Sequence, residues 1–144
     1  MASVEKRYLI ASKVLTTLHN GIERYKKSLS QKESDSDYFR DALIQRFEYS
    51  IDTLWKFLKI YLQEKLHIPM EFNAPKVIIE ECLNTNVINN TEHRMLLKCL
   101  NNRNETSHAY NEAVAQEIIL EIPDLYVTMH TILERIPPVT EPNQ

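Results

Sequence analysis

The sequence predicts an all-α protein, a four- to five-helix up-down bundle that is homodimeric, and three observations lead there. Glycine is nearly absent: Gly21 stands alone in 144 residues, where average usage of about 7% would give roughly ten. Phosphate-cradling loops, dinucleotide-binding turns and tight β-hairpins all depend on glycine, so Rossmann, P-loop and all-β folds drop out. Apolar residues recur at helical spacing over long stretches, and an apolar fraction of 43% in a chain of this length fills one core. The apolar stripes are also wider than so few helices can cover, which leaves a surface to bury and makes a homodimer the simplest solution.

The first helix follows from Val4, Tyr8, Ala11, Leu15, Leu18, Ile22, Tyr25 and Leu29, an unbroken 4-3-4-3-4-3-4 spacing that lines one face. Ser3 is its expected N-cap. Gly21 costs about 1 kcal/mol relative to alanine in a helix interior, which suggests a close helix approach there. The polar run from Ser28 to Asp37 reads as a loop. A second long helix spans about Tyr38 to Leu66, with Leu43, Phe47, Ile51, Leu54, Trp55, Leu58, Tyr61 and Leu62 on its apolar side. Pro69 and Pro75 stop it and open a short third helix through Val77, Ile78 and Cys82. After an Asn-rich connection, Thr91 and Glu92 start a fourth helix carrying Met95, Leu96, Cys99 and Leu100. Asn111 is the expected N-cap of a fifth, in which Ile118, Ile122, Tyr126, Met129, Leu133 and Ile136 are in register and Pro123 introduces a kink. One domain is expected over residues 1–136, with a disordered Pro-rich tail over 137–144.

Charge and cysteine usage narrow the function. The net charge is −3, which argues against a general polyanion binder. Residues 1–70 nevertheless carry +3 and residues 71–144 carry −6, so one face can still attract an anion. Cys82 and Cys99 show neither CxxC nor zinc spacing and sit on apolar faces, as reduced thiols of a cytoplasmic protein do. The charged opening residues have no apolar segment behind them, and no stretch is apolar enough to cross a membrane. The five histidines, at 19, 67, 93, 108 and 130, share no metal-ligand spacing. No metal and no cofactor is expected.

One segment stands apart. Continuing the fourth helix's stripe from Leu96 and Leu100 places Arg103 where the next buried residue belongs. A desolvated guanidinium requires an anionic partner, either within the protein or on a ligand. Asn104 and His108 are four apart and share a face, whereas Arg103 and His108 lie about 140° apart on an ideal helix. Those two converge only near a helix end, or with a matching pair from a second subunit. On these residues alone, basic side chains stabilising a helix C-terminus and a phosphate-handling site both remain open.

Arg103-Asn104-Glu105-Thr106-Ser107-His108-Ala109-Tyr110 resembles the Arg-polar-x3-His-x-Tyr signature of the HEPN superfamily. More specifically, it is similar to the nucleotidyltransferase substrate-binding proteins that accompany minimal nucleotidyltransferases and include HepT-like toxins. A second block, Arg46-Phe47-Glu48-Tyr49 followed by Asp52, Trp55 and Lys56, resembles the family's helix-two pattern, with Asp52 where Glu is common. Pro75-Lys76-Val77-Ile78 also fits, and the likeness spans roughly residues 8–136. The resemblance implies a dimer that brings two Arg-x4-His motifs into one cleft. It implies a cognate minimal nucleotidyltransferase as partner in a toxin–antitoxin-like pair, with RNA or a nucleotide as ligand. In ribonuclease members the residue matching Arg103 holds the scissile phosphate and that matching His108 moves protons without metal. This makes a metal-independent endoribonuclease the alternative function. The tyrosine matching Tyr110 accepts nucleotidyl groups in toxin members. Glu48 either orients Arg103 or His108, with Asn104 as a further supporting residue, or is an ordinary surface charge.

Overall fold

The computed structural model describes residues 3–71, 73–108 and 111–138, the side chains of 105–108 excepted. Every regular element among the described residues is a helix: α1 (Ser3–Ser30), α2 (Ser36–Glu64), α3 (Pro75–Asn84), α4 (Asn90–His108) and α5 (Glu112–Arg135). Hydrogen bonds between helix ends fix the topology. The Val4 N–H at the start of α1 donates to Glu64 Oε2 at the end of α2 (3.3 Å), so these helices run antiparallel. Tyr8 Oη donates to the Leu133 carbonyl near the end of α5 (3.0 Å), so α1 and α5 are antiparallel too. Arg135, the last residue of α5, reaches Glu92 at the start of α4. Helix α2 packs against all four others, and α3 bridges α2 and α4. The result is the up-down helical bundle expected from the sequence.

The periodicity argument holds through most of α1. Val4, Ala11, Leu15, Leu18, Ile22 and Tyr25 are buried, while Leu29 is exposed and Ser28 takes the inward position, its hydroxyl donating to the Tyr25 carbonyl. The polar loop is shorter than its composition suggests, since α2 already begins at Ser36. A Cβ at Gly21 would sit 3.1 Å from Arg46 Cδ, and Arg46 Nη1 donates to the Thr17 carbonyl at 3.0 Å. The single glycine therefore marks a close approach of α2 onto α1. Helix α2 ends at Glu64, two residues before the expected Leu66, because His67 adopts a left-handed conformation (φ 56°) and the Ile68 N–H returns to the Leu62 carbonyl.

Helix α4 starts one residue before the expected Thr91. Asn89 and Glu92 form a reciprocal capping box: the Glu92 N–H donates to Asn89 Oδ1 (2.8 Å), and the Asn89 N–H donates to Glu92 Oε1 (3.0 Å). Asn111 caps α5 as expected, accepting from the N–H groups of Ala113 and Val114. Pro123 lies inside α5, which continues as one helix to Arg135. The core is centred on α2, where Phe47, Ile51, Phe57, Leu58 and Leu62 are fully buried. Two large apolar side chains one heptad apart on α5 stay in solvent, Leu120 at 80% and Val127 at 59% exposure.

Candidate functional site

Arg103 sits in the last two turns of α4 and lies against the middle of α2. Its Nε donates to Asp52 Oδ1 (2.9 Å) and its Nη2 to Asp52 Oδ2 (3.1 Å). This two-pronged geometry matches a guanidinium edge to a carboxylate, and neither side chain is more than about a third exposed. The Asp52 hydrogen bonds push the Arg103 pKa up against a smaller opposing effect of burial, with the charges of Asp52 and Glu48 acting in the same upward direction. The partner demanded by an arginine on the apolar stripe is thus an α2 carboxylate. Glu48 is one turn of α2 before Asp52, and its charge favours the protonated guanidinium of Arg103.

Beside this pair lies an open cleft of about 320 Å³ at the junction of three helices. Its walls are Asp52 and Trp55 from α2, Pro75 and Lys76 from the start of α3, and Leu100, Arg103 and Asn104 from α4. Asn104 is exposed at this rim, while Trp55 is half-buried, packing on the core with one side and lining the cleft with another. The Lys56 ammonium lies 5.8 Å from the indole centroid. Lys76 is exposed and makes no ion pair among the described residues.

His108 is the last residue of α4, so Arg103 and His108 belong to one helix, five positions apart. The His108 side chain and Tyr110 lie outside the described residues. Glu112, the first residue of α5, accepts from Nη1 of the buried Arg40 at the start of α2 (3.1 Å), and Arg40 also meets Asp37 and Asp41. Both ends of the motif-bearing segment are therefore tied to α2, through Asp52 and through Arg40. Sequence reasoning left Asp52, Arg40, Lys76 and Trp55 out of the site. For Asp52 the signal was partial, because an arginine on an apolar stripe calls for a carboxylate without saying which one.

Elsewhere the described residues offer less chemistry. No group of three or more His, Cys, Asp or Glu side chains among them is placed to hold a metal ion. Burial pushes the Cys82 thiol up to about 12, with the Glu81 charge adding to the effect, and pushes Cys99 higher still. Both thiols are packed side chains rather than nucleophiles. A smaller cavity of about 190 Å³ between α1 and α5 is lined by His19, Tyr126 and His130, whose rings lie against one another. Tyr126 is half-buried at this edge rather than in the core. No helix among the described residues is long and apolar enough to cross a membrane.

An all-helical bundle with an arginine held on α2 near the end of α4, and a histidine closing that helix, has the organisation of a HEPN-like protein. The chain belongs to the nucleotidyltransferase substrate binding protein-like family, which matches residues 6–136. The crystal structure of ttk003001694 from Thermus thermophilus is similar, at 36% sequence identity and a TM-score of 0.71, over 88% of this chain and 98% of that one. No curated protein matches the chain.

Proposed function

We propose that this protein is the HEPN partner, or substrate-binding subunit, of a two-component minimal nucleotidyltransferase in a toxin–antitoxin-like pair. The family membership over residues 6–136 carries this reading. The chain has a single glycine, which supports placing the glycine-dependent nucleotide-holding turn of the transferase on the partner. In this reading residues 1–136 form one domain followed by a tail over 137–144, two copies associate, and the protein works in the cytoplasm, where its buried thiols stay reduced. Tyr110 is the acceptor of nucleotidyl groups from the partner. Co-expression with the minimal nucleotidyltransferase encoded beside it should yield a complex that survives gel filtration at moderate salt. Failure to co-purify at both low and moderate salt overturns the reading.

A second reading is favoured by Arg103, a cation lining an open cleft five residues before a histidine. It is a metal-independent endoribonuclease in which Arg103 holds the scissile phosphate and His108 transfers a proton, with Asn104 and Glu48 in support. The partner-free protein should then cut RNA in the presence of EDTA. His108→Ala should slow cleavage by about 10²-fold or more, as expected for loss of a general acid or base. Equal cleavage by His108→Ala and the parent protein, or none by the parent, overturns it.

A further inference from the structure

We infer that the cleft between α2, α3 and α4 is a nucleotide subsite, in which Trp55 stacks the base and Lys76, beside Arg103, takes the phosphate. The inference deepens the proposed function, resting on its assignment of a nucleotide or RNA ligand to the Arg103 region. The wall residues have complementary chemistry. A volume of about 320 Å³ falls at the lower end of the range for small-molecule clefts. Trp55 is part of the cleft wall, and an indole brings to it a π-system on which any base can stack. Phosphate requires cations, and the cleft carries two from different helices. Arg103 is oriented by Asp52, and Lys76 has no ion pair among the described residues.

The arrangement also distinguishes a nucleotide from a simpler anion. Asp52 already binds one edge of the Arg103 guanidinium, and Glu48 adds a second negative charge nearby. A small inorganic anion facing those carboxylates gains little. A ligand that also places an aromatic ring on Trp55 gains contact area that the carboxylates do not oppose. Asn104, exposed at the rim, provides an amide able to donate and accept toward a base edge or ribose hydroxyl.

The chain contains a single tryptophan, so intrinsic indole fluorescence reports on Trp55 alone. The full-length protein is titrated with AMP, with hexa-adenylate RNA, with ribose 5-phosphate and with inorganic phosphate. AMP or hexa-adenylate should quench the fluorescence saturably, while the two base-free anions should not. Tighter binding of the RNA assigns the subsite to one residue of a strand, and equal or tighter binding of AMP assigns it to a free nucleotide. Lys76→Ala, at an exposed position that leaves the fold intact, should weaken binding several-fold. By anisotropy of fluorescein-labelled hexa-adenylate, Trp55→Leu should weaken binding by about ten-fold, and Trp55→Phe should recover part of the loss. Absence of quenching by both AMP and hexa-adenylate at millimolar concentration, or unchanged affinity in Lys76→Ala, overturns the inference. Complex formation with the nucleotidyltransferase is scored separately. A complex without quenching removes only the subsite, and quenching without a complex removes only the partner role.

Discussion

The Arg103–Asp52 pair has two competing explanations, a strut between helices and an oriented functional group, and its energetics separates them. Both side chains are partly in solvent, so the pair is screened and contributes about 1 kcal/mol or less to stability. Asp52→Asn should therefore leave the urea midpoint nearly unchanged, with a loss of no more than about 1 kcal/mol. The same change removes the carboxylate that fixes the guanidinium plane, so any RNA cleavage through Arg103 should fall far more than stability does. A loss of several kcal/mol in the denaturation curve would identify the pair as a strut instead. At this scale the sequence was only half legible. Arg103 stood out because it interrupts an apolar stripe, whereas Asp52 was visible only as one acid of a helix-two pattern. Its role depends on the register of α4 against α2, which no local pattern contains.

Helix ends were more legible than helix contacts, because capping chemistry is local while packing is not. Asn111 was recognisable as an N-cap from its position before Glu112, and it does cap α5. The α4 start was misplaced by one residue because the cap is Asn89, completed by Glu92. The further contact that locks this corner was beyond sequence reasoning. Arg135 donates from Nη1 to Glu92 Oε2 (2.8 Å), and from Nη2 to Glu92 Oε1 (2.7 Å) and the Val87 carbonyl (2.9 Å). Burial alone would raise the Glu92 pKa. The hydrogen bonds from Arg135 and the Asn89 N–H, with the Arg135 charge, outweigh it and hold the carboxyl below its ordinary value. A carboxyl lowered on folding stabilises the native state above its unfolded pKa near 4.5, and that contribution is lost as pH falls through the lower, folded value. Arg135→Met should thus cost about 1–3 kcal/mol near neutral pH, since it strands a nearly buried carboxylate. The penalty should shrink as pH falls through the lowered folded value, below which Glu92 is protonated in both states. Urea melts of the two proteins at neutral and acid pH check both statements, and a penalty that grows on acidification would contradict the assignment.

At the scale of the whole molecule, the topology followed from five apolar stripes, but the stripes do not say where copies meet. The bundle buries its α2-centred core and still leaves Leu120 and Val127 in solvent on one side of α5. Exposed apolar area of this kind favours association. The proposed composite site requires that association to bring the ends of two α4 helices together. Arg103 and His108 occupy positions about 140° apart on one helix, too far round to face a single ligand from an ideal α4. Sedimentation at micromolar concentration should accordingly give twice the 17.0 kDa chain mass. The placement of the two motifs can be tested in the same preparation. Asn104 is exposed beside Arg103, whereas the native cysteines are buried, with the Cys82 thiol pushed up to about 12 and Cys99 beyond it. At neutral pH neither native thiol supplies appreciable thiolate, so a cysteine at 104 is the one that a maleimide finds. Asn104→Cys treated with a short bis-maleimide should migrate as a covalent dimer on a denaturing gel, and the unsubstituted protein should remain a single chain. A dimer by sedimentation that fails to cross-link would keep the association but separate the two motifs. The Arg103 and His108 of each chain would then have to act without their counterparts. A monomer by sedimentation would remove the composite cleft altogether, leaving Leu120 and Val127 as a surface for the nucleotidyltransferase rather than for a second copy.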